Sequence, residues 1–146
     1  MNIRKEILEY LNGQRVGVLA LEMLDGSPNG STVHFAYSEE PLVFFFETNR
    51  KYRKSEPLFG KPATRASLVI GSSEEDMKTL QMDGEARLIR EEEHDVFWEV
   101  YFRKFPEKAK KAKESEVVFF SFTPAWWRFT DWTRPEGKTI WNSSPK

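Results

Sequence analysis

Residues 44–54 combine an aromatic stretch with a dense cluster of positive charge. The Phe-Phe-Phe stretch at residues 44–46 is typical of a buried strand, and the Glu-Thr-Asn that follows it favours a turn with local hydrogen bonds. Four cations then occur within five residues: Arg50, Lys51, Arg53 and Lys54. A hydroxyl, an amide and clustered cations at one end of a strand suit an anion, and a phosphate group is the ligand that this pattern favours.

A second interpretation of the same run stays open, because runs of like charge are commonly solvated loops. The position of the run directly after a predicted buried strand favours the anion-binding interpretation. Gln81 is equally ambiguous, since a polar residue in an alternating strand can face solvent or a ligand. The tryptophans at 126, 127 and 132 are more typical of a core or a subunit interface than of catalysis.

No catalytic or metal-binding set stands out. The two histidines, His34 and His94, are distant in sequence, and no third side chain has the type and spacing of a metal ligand. We therefore expect no bound metal. No Ser-His-Asp set or pair of carboxylates can be assigned either, so the catalytic residues stay unassigned.

The composition predicts one soluble domain. The chain has 146 residues, of which 31% are charged and 39% apolar, and its formal net charge of −1 does not favour a general nucleic-acid or membrane binder. We expect a single domain over residues 1–146, with residues 133–146 as a looser polar tail. The absence of cysteine excludes thiolate chemistry and favours a cytoplasmic location. No apolar run is long enough to span a bilayer.

The hydrophobic pattern predicts about six antiparallel strands with peripheral helices. The predicted strands are residues 15–24, 31–37, 42–48, 64–71, 77–90 and 117–123, and the predicted helices are residues 2–11, 55–60, 91–105 and 107–114. The last of these helices is rich in lysine and is expected to be a solvated face. Because closing such a sheet removes its edges, the fold class is mainly β, with a small barrel as the expected architecture.

The order of these segments resembles the pyridoxamine 5′-phosphate oxidase-like, FMN-binding split-barrel family. Residues 46–54 are similar to that family's strand-end pattern of aromatic-Thr-Asn followed by Ser-Arg-Lys. Leu58, Pro62 and residues 66–70 look like its short helix, the exit from that helix and its next strand. Gln81 with residues 84–86 looks like its "Gln … Gly-x-Ala" strand. The resemblance extends from about Ile3 to Trp132.

This resemblance implies a six-stranded antiparallel split barrel of Greek-key type that binds FMN between the subunits of a homodimer. Arg53 and Lys54 would bind the phosphate of FMN, and the Thr48 hydroxyl would donate a hydrogen bond to it. The backbone of residues 33–36 would line the flavin. The residues that the resemblance places at the cofactor are Val33, His34, Phe35, Thr48, Arg53, Lys54, Thr79, Gln81, Trp127 and Arg128.

The sequence also departs from the family pattern. Tyr52 replaces the serine before Arg-Lys, and no Arg-x-His substrate signature occurs near the C-terminus. The lysine that ends the family's second strand is missing, with Tyr37 or Ser38 nearby instead. Pyridoxamine phosphate oxidation is therefore not assigned, and the cofactor expectation is better supported than any substrate.

Three functional hypotheses follow. The first is an FMN-dependent oxidoreductase that acts as a homodimer on a small molecule of undetermined identity, with no nucleic-acid or membrane partner. The second is a non-catalytic split-barrel protein that carries or senses FMN, haem or the deazaflavin F420, which other members of this family bind. The third is a small barrel that binds single-stranded nucleic acid through aromatic and lysine side chains, although the near-neutral net charge disfavours it.

Overall fold

A computed structural model describes residues 2–71 and 73–143. Its strands are β1 (Val16–Glu22), β2 (Pro28–His34), β3 (Ala36–Glu39), β4 (Leu42–Asn49), β5 (Thr64–Ile70), β6 (Lys78–Leu88), β7 (Val117–Asp131) and β8 (Thr139–Asn142). Its helices are α1 (Lys5–Asn12), α2 (Ser55–Gly60) and α3 (His94–Lys104), with 3₁₀ turns at Glu91–Glu93, Pro106–Lys108 and Lys111–Lys113. Within the described residues, every helix is too short or too polar to cross a membrane.

The strands form one antiparallel sheet in the order β2-β1-β5-β6-β7-β4-β3, and β8 pairs with β7. The two ends of this path, β2 and β3, are consecutive in the chain and are separated only by the fully buried Phe35. Because one continuous segment therefore joins the opposite edges, the sheet curls into a split barrel. The mainly β, antiparallel split-barrel prediction is confirmed.

The predicted number of six strands is wrong, since the described residues contain eight. The predicted strand at residues 31–37 is divided at Phe35 into β2 and β3, each of which pairs with a different edge of the sheet. The eighth strand, β8, lies within the segment that was expected to be a looser tail. There Trp141 stacks on Phe129 with ring centroids 6.1 Å apart, and the Arg4 guanidinium lies 4.0 Å from the Trp141 ring. These contacts attach residues 139–142 to the barrel, while residues 144–146 lie outside the described residues.

The strand β7 is longer than predicted because Pro124 does not end it. The pairing between β6 and β7 shifts at Gly84, which opposes Pro124, whereas Asp83 opposes Trp126. A β-bulge of this kind tolerates proline within a sheet. A side chain at Gly84 would collide with the Thr123 carbonyl, so the close approach of the two backbones requires glycine at this position.

The aromatic residues of β4 and β7 are buried on both faces of the sheet. Phe46 and Phe120 point into the barrel, where their rings stack with centroids 4.9 Å apart. The neighbouring residues Phe45 and Phe119 point the other way and pack on Phe97 of α3. Two-sided burial explains the uninterrupted phenylalanine run, and it fixes the end of β4 in space.

The predicted lysine-rich helix at residues 107–114 is also wrong. The chain leaves helical geometry at Phe105 and Pro106, and then forms the two short 3₁₀ turns. Ala112 is buried against the α3 cluster, and this contact pulls the segment onto the barrel. The lysines of this segment therefore do not share one solvated helical face, and two of them, Lys108 and Lys111, turn toward the end of β4.

Candidate functional site

A cleft of about 330 Å³ opens where β2, the end of β4, α3 and the 3₁₀ turns meet. The residues that line it are Thr32, Val33, His34, Glu47, Thr48, Asn49, Tyr52, Lys54, Tyr101, Lys108, Lys111 and Val117. Four of the ten residues predicted to contact a cofactor are among them, namely Val33, His34, Thr48 and Lys54. The cleft is therefore the feature around which the sequence-predicted site can be tested.

The cleft is electropositive. Lys54, Lys108 and Lys111 all line it, and within the described ranges none of the three forms an ion pair with a carboxylate. Burial lowers the pKa of Lys54, whose ammonium donates a hydrogen bond to the Ser31 hydroxyl at 3.4 Å. The pKa of His34 is lowered first by burial and then by the charges of Lys108 and other cations. An anion in this cleft would therefore meet cations that have no competing partner.

The Thr48 hydroxyl is the clearest indication of a ligand. Its oxygen is buried and, within the described part of the chain, has no hydrogen-bond partner. A buried polar group without a partner costs about 1–3 kcal/mol, so nearly all such groups in native proteins acquire a partner, which can be a ligand or an ordered water molecule. Thr48 and Lys54 both face the cleft, and a phosphate group would satisfy the hydroxyl and the ammonium together.

Glu47 contributes a second buried oxygen without a partner. Its Oε2 atom has no hydrogen-bond partner among the described residues, and burial raises its pKa although Lys108 and Lys111 oppose that rise. Tyr101 lies beside it, and burial followed by the Glu47 charge raises the pKa of the tyrosine hydroxyl. The side of the cleft next to α3 therefore holds a carboxyl and a phenol whose pKa values are both raised by burial.

The run of four cations that the sequence emphasises does not act as a unit. The Arg50 guanidinium lies 4.5 Å from the centroid of the Phe59 ring. Lys51 forms an ion pair with Glu116 at 2.9 Å. Arg53 is exposed and is not among the residues that line the cleft, whereas Lys54 lines it. The turn after β4 thus points successive cations in different directions, and one of the four reaches the candidate site.

Polar residues of β6 and β7 lie on the outer face of the sheet. The strand register aligns Thr32, Val18, Val69, Gln81 and Arg128 in one row across β2, β1, β5, β6 and β7. Arg128 donates a hydrogen bond to the Gln81 side-chain oxygen at 3.1 Å. Strands are spaced by about 4.8 Å, so Gln81 lies about 14 Å from the cleft edge at Thr32. One chain therefore does not bring Gln81 and Arg128 to its own cleft.

The remaining predicted residues have other positions. Thr79 is on the outer face with Gln81, and it lines a different cavity beside Trp132. Phe35 and Trp127 point into the barrel core. The Phe35 backbone N–H also donates a hydrogen bond to the Arg15 carbonyl at 3.1 Å. This N–H is therefore not free to donate to a cofactor.

The cleft residues that sequence reasoning missed include Glu47, Tyr101, Lys108 and Lys111. Glu47 was interpreted as part of a turn, and the two lysines were assigned to a solvated helix. The available signal was a glutamate directly after three phenylalanines on a predicted buried strand. A carboxyl group in that position needs a polar partner or a polar cleft. Nothing in the linear sequence places Tyr101 beside Glu47.

The fold and the cleft define a class of protein: an antiparallel split barrel with an electropositive cleft at the end of β4. The sequence model of the pyridoxamine 5′-phosphate oxidase family matches residues 3–131. The chain therefore belongs to the pyridoxamine 5′-phosphate oxidase family. A search of curated protein sequences gave no significant match.

Solved structures share the fold at low sequence identity. The chain is similar to a haem-binding protein from Mycobacterium smegmatis, with a TM-score of 0.73 and 14% identity, covering 92% of this chain but only 54% of that one. It is similar to HutZ, the haem storage protein of Vibrio cholerae, with a TM-score of 0.68, 20% identity and coverage of 85% and 91%. It is also similar to a pyridoxamine 5′-phosphate oxidase-related, FMN-binding protein from Nostoc punctiforme, with a TM-score of 0.67, 16% identity and coverage of 97% and 90%.

The unpartnered Thr48 hydroxyl predicts an unusual response to mutation. We expect Thr48→Val to raise the free energy of unfolding by about 1 kcal/mol, because it removes a buried polar group that has no partner. The matched control is Thr64→Val, because the buried Thr64 hydroxyl donates to the Glu22 carbonyl at 2.5 Å. That variant should lose about 1–3 kcal/mol. Urea unfolding of both variants checks the contrast, and equal losses would show that the Thr48 hydroxyl is satisfied within the protein.

Proposed function

We propose that this protein is an FMN-binding flavoprotein that acts as an oxidoreductase on a small molecule. The observation that carries the proposal is the pair of ligand-seeking groups on one cleft, the Lys54 ammonium and the unpartnered Thr48 hydroxyl. Membership of the pyridoxamine 5′-phosphate oxidase family and the similarity to an FMN-binding relative support it. The absence of cysteine is in keeping with a cytoplasmic location for this activity.

The proposed roles follow from the positions of the side chains. Thr48 and Lys54 would hold the phosphate of FMN, which carries about −1.5 to −2 charges at neutral pH, and Lys108 and Lys111 would add to the positive potential. Arg53 is a weaker candidate for binding the FMN phosphate than the sequence suggested, because it does not line the cleft. When bound, the flavin supplies hydride or electron transfer, while the chain binds and orients the cofactor.

The outer face of the sheet supports a homodimer. Val16 and Val18 are exposed on β1 between the cleft and the Gln81–Arg128 pair, and Val69 of β5 continues the apolar strip. A twofold interface places the same surface of each subunit against the other. We propose that this face pairs with a second copy, so that the partner subunit's Gln81 and the partner subunit's Arg128 approach the cleft that one chain leaves open.

Haem is the second candidate ligand. The fold is shared with a haem-binding protein and a haem storage protein, which favours this alternative over other flat ligands. The lysines of the cleft suit carboxylate groups on a macrocycle. The apolar strip of Val16, Val18 and Val69 suits the apolar faces of that macrocycle. In this alternative the protein is a non-catalytic carrier or sensor of haem. F420 is a further candidate ligand for the same role of the protein.

We expect Lys54→Ala to weaken FMN binding by about 10-fold or more, since a charge-assisted hydrogen bond contributes about 1.5–3 kcal/mol. The matched control is Lys51→Ala, which removes an equal charge from the same turn but from a side chain paired with Glu116. Quenching of FMN fluorescence gives both affinities, and riboflavin, which lacks the phosphate, should bind weakly to all three proteins.

Two results would contradict the flavin proposal. One is the absence of FMN binding by the unmodified protein, and the other is an equal loss of affinity in the Lys54 and Lys51 variants. A haem absorption band on reconstitution, without FMN binding, would support the second candidate instead.

We expect Val18→Arg to convert the dimer to a monomer, because it would place two like charges against each other across a twofold interface. The control is Val96→Arg on α3, a substitution at a similarly exposed valine that lies away from the outer face. Sedimentation velocity measures the mass of each variant. A monomeric unmodified protein, or an undisturbed Val18→Arg dimer, would rule out an interface on this face.

A further inference from the structure

Glu47 is an acid in a cleft otherwise lined by groups that attract anions. Residues along β4 alternate between the barrel interior and the α3 side, and Glu47 shares the α3 side with Phe45. The carboxyl group lines the cleft, and its Oε2 atom is buried without a hydrogen-bond partner among the described residues. An ionised carboxylate at this point would repel a phosphate or a carboxylate ligand, at a cost that low solvent exposure increases.

The titratable groups around Glu47 come from several elements. Tyr101 of α3 lies beside it, and Lys108 and Lys111 approach from the 3₁₀ turns. His34 of β2 and Lys54 line the same cleft. Burial raises the pKa of Glu47, and the two lysines oppose that rise without cancelling it. The environment of the free cleft therefore shifts the Glu47 equilibrium toward the protonated carboxyl relative to a solvent-exposed glutamate.

We propose that Glu47 is a specificity-determining residue whose carboxyl group takes up a proton from solvent when an anionic group binds in the cleft, and donates that proton in a hydrogen bond to the anion. This inference rests on the proposed function, since it assumes that the cleft binds the anionic group of a cofactor. The chemistry is balanced by one proton from solvent for each ligand that binds to the ionised form. The same uptake applies to any phosphate-bearing ligand.

The sign of the pH dependence follows from linkage. A bound anion disfavours ionised Glu47, so it raises the pKa of that carboxyl further. Affinity is then highest where Glu47 is protonated in the free protein, and it falls as pH rises through the pKa of the free form. One proton per site limits the fall to about 10-fold per pH unit. Glu47→Gln, which keeps a neutral donor at this position, should bind the anion without this dependence.

Two measurements test the proposal. Carbon NMR of the glutamate carboxyls, assigned with Glu47→Gln, should show that Glu47 titrates above the other glutamates and that inorganic phosphate raises its midpoint further. Calorimetry of FMN binding in buffers of different ionisation enthalpy should show proton uptake by the unmodified protein and by the control Glu85→Gln, which changes an exposed acid on β6. The uptake should be reduced in Glu47→Gln, while the contributions of His34 and the phosphate stay.

The outcomes separate this inference from the flavin proposal. A Glu47 midpoint in the ordinary glutamate range, or one that phosphate does not move, overturns the inference whatever FMN does. Failure of FMN to bind, together with a raised midpoint that phosphate moves further, overturns the flavin proposal and leaves the role of Glu47 intact. Equal proton uptake in Glu47→Gln and the unmodified protein overturns the inference even if FMN binds tightly.

Discussion

Burial of β4 on both of its faces is the constraint on which the rest of the structure depends. Phe44 and Phe46 fill the barrel, and Phe45 packs under α3, so the strand has no solvent-facing side until its last residues. The chain must then change from aromatic to polar residues while still enclosed by β2, α3 and the 3₁₀ turns. Glu47 Oε2 and Thr48 Oγ1 are consequently buried without a hydrogen-bond partner among the described residues. The cleft is the result of this forced change.

The electrostatics of the cleft are costly to the free protein. Burial lowers the pKa of Lys54 and raises the pKa of Glu47, and the Thr48 hydroxyl has no partner among the described residues. Each of these features lowers stability in the absence of a ligand, and each would be relieved by an anion that accepts hydrogen bonds. Buried polar groups that lower the stability of the free protein in this way are typical of binding sites rather than of a packed core. The same reasoning explains why the proposed ligand is anionic whichever cofactor carries the charge.

Local pattern was enough to predict a mainly β antiparallel barrel, because alternation and turn residues determine strands directly, and the resemblance to the family supplied the split-barrel architecture. Local pattern failed where tertiary contacts override it. Phe35 divides one predicted strand in two because it must enter the core, and the burial of Ala112 replaces a lysine-rich helix by short turns. At the site, the Thr48 and Lys54 predictions agree with the positions of these residues on the cleft. The partners that come from distant segments, Tyr101 and Lys108, have no signal in the linear sequence.

We propose a flavin site shared between two chains, with Lys54 from one subunit and the Gln81–Arg128 pair from the other, and subunit complementation tests this proposal most directly. The measurement is the flavin retained after gel filtration of Lys54→Ala, of Arg128→Ala and of a mixture allowed to exchange subunits, with exchange verified by mass. Each variant alone should retain little flavin, whereas each mixed dimer should regain one intact site. A mixture that exchanges subunits but retains no more flavin than the separate variants would contradict a site shared between two chains.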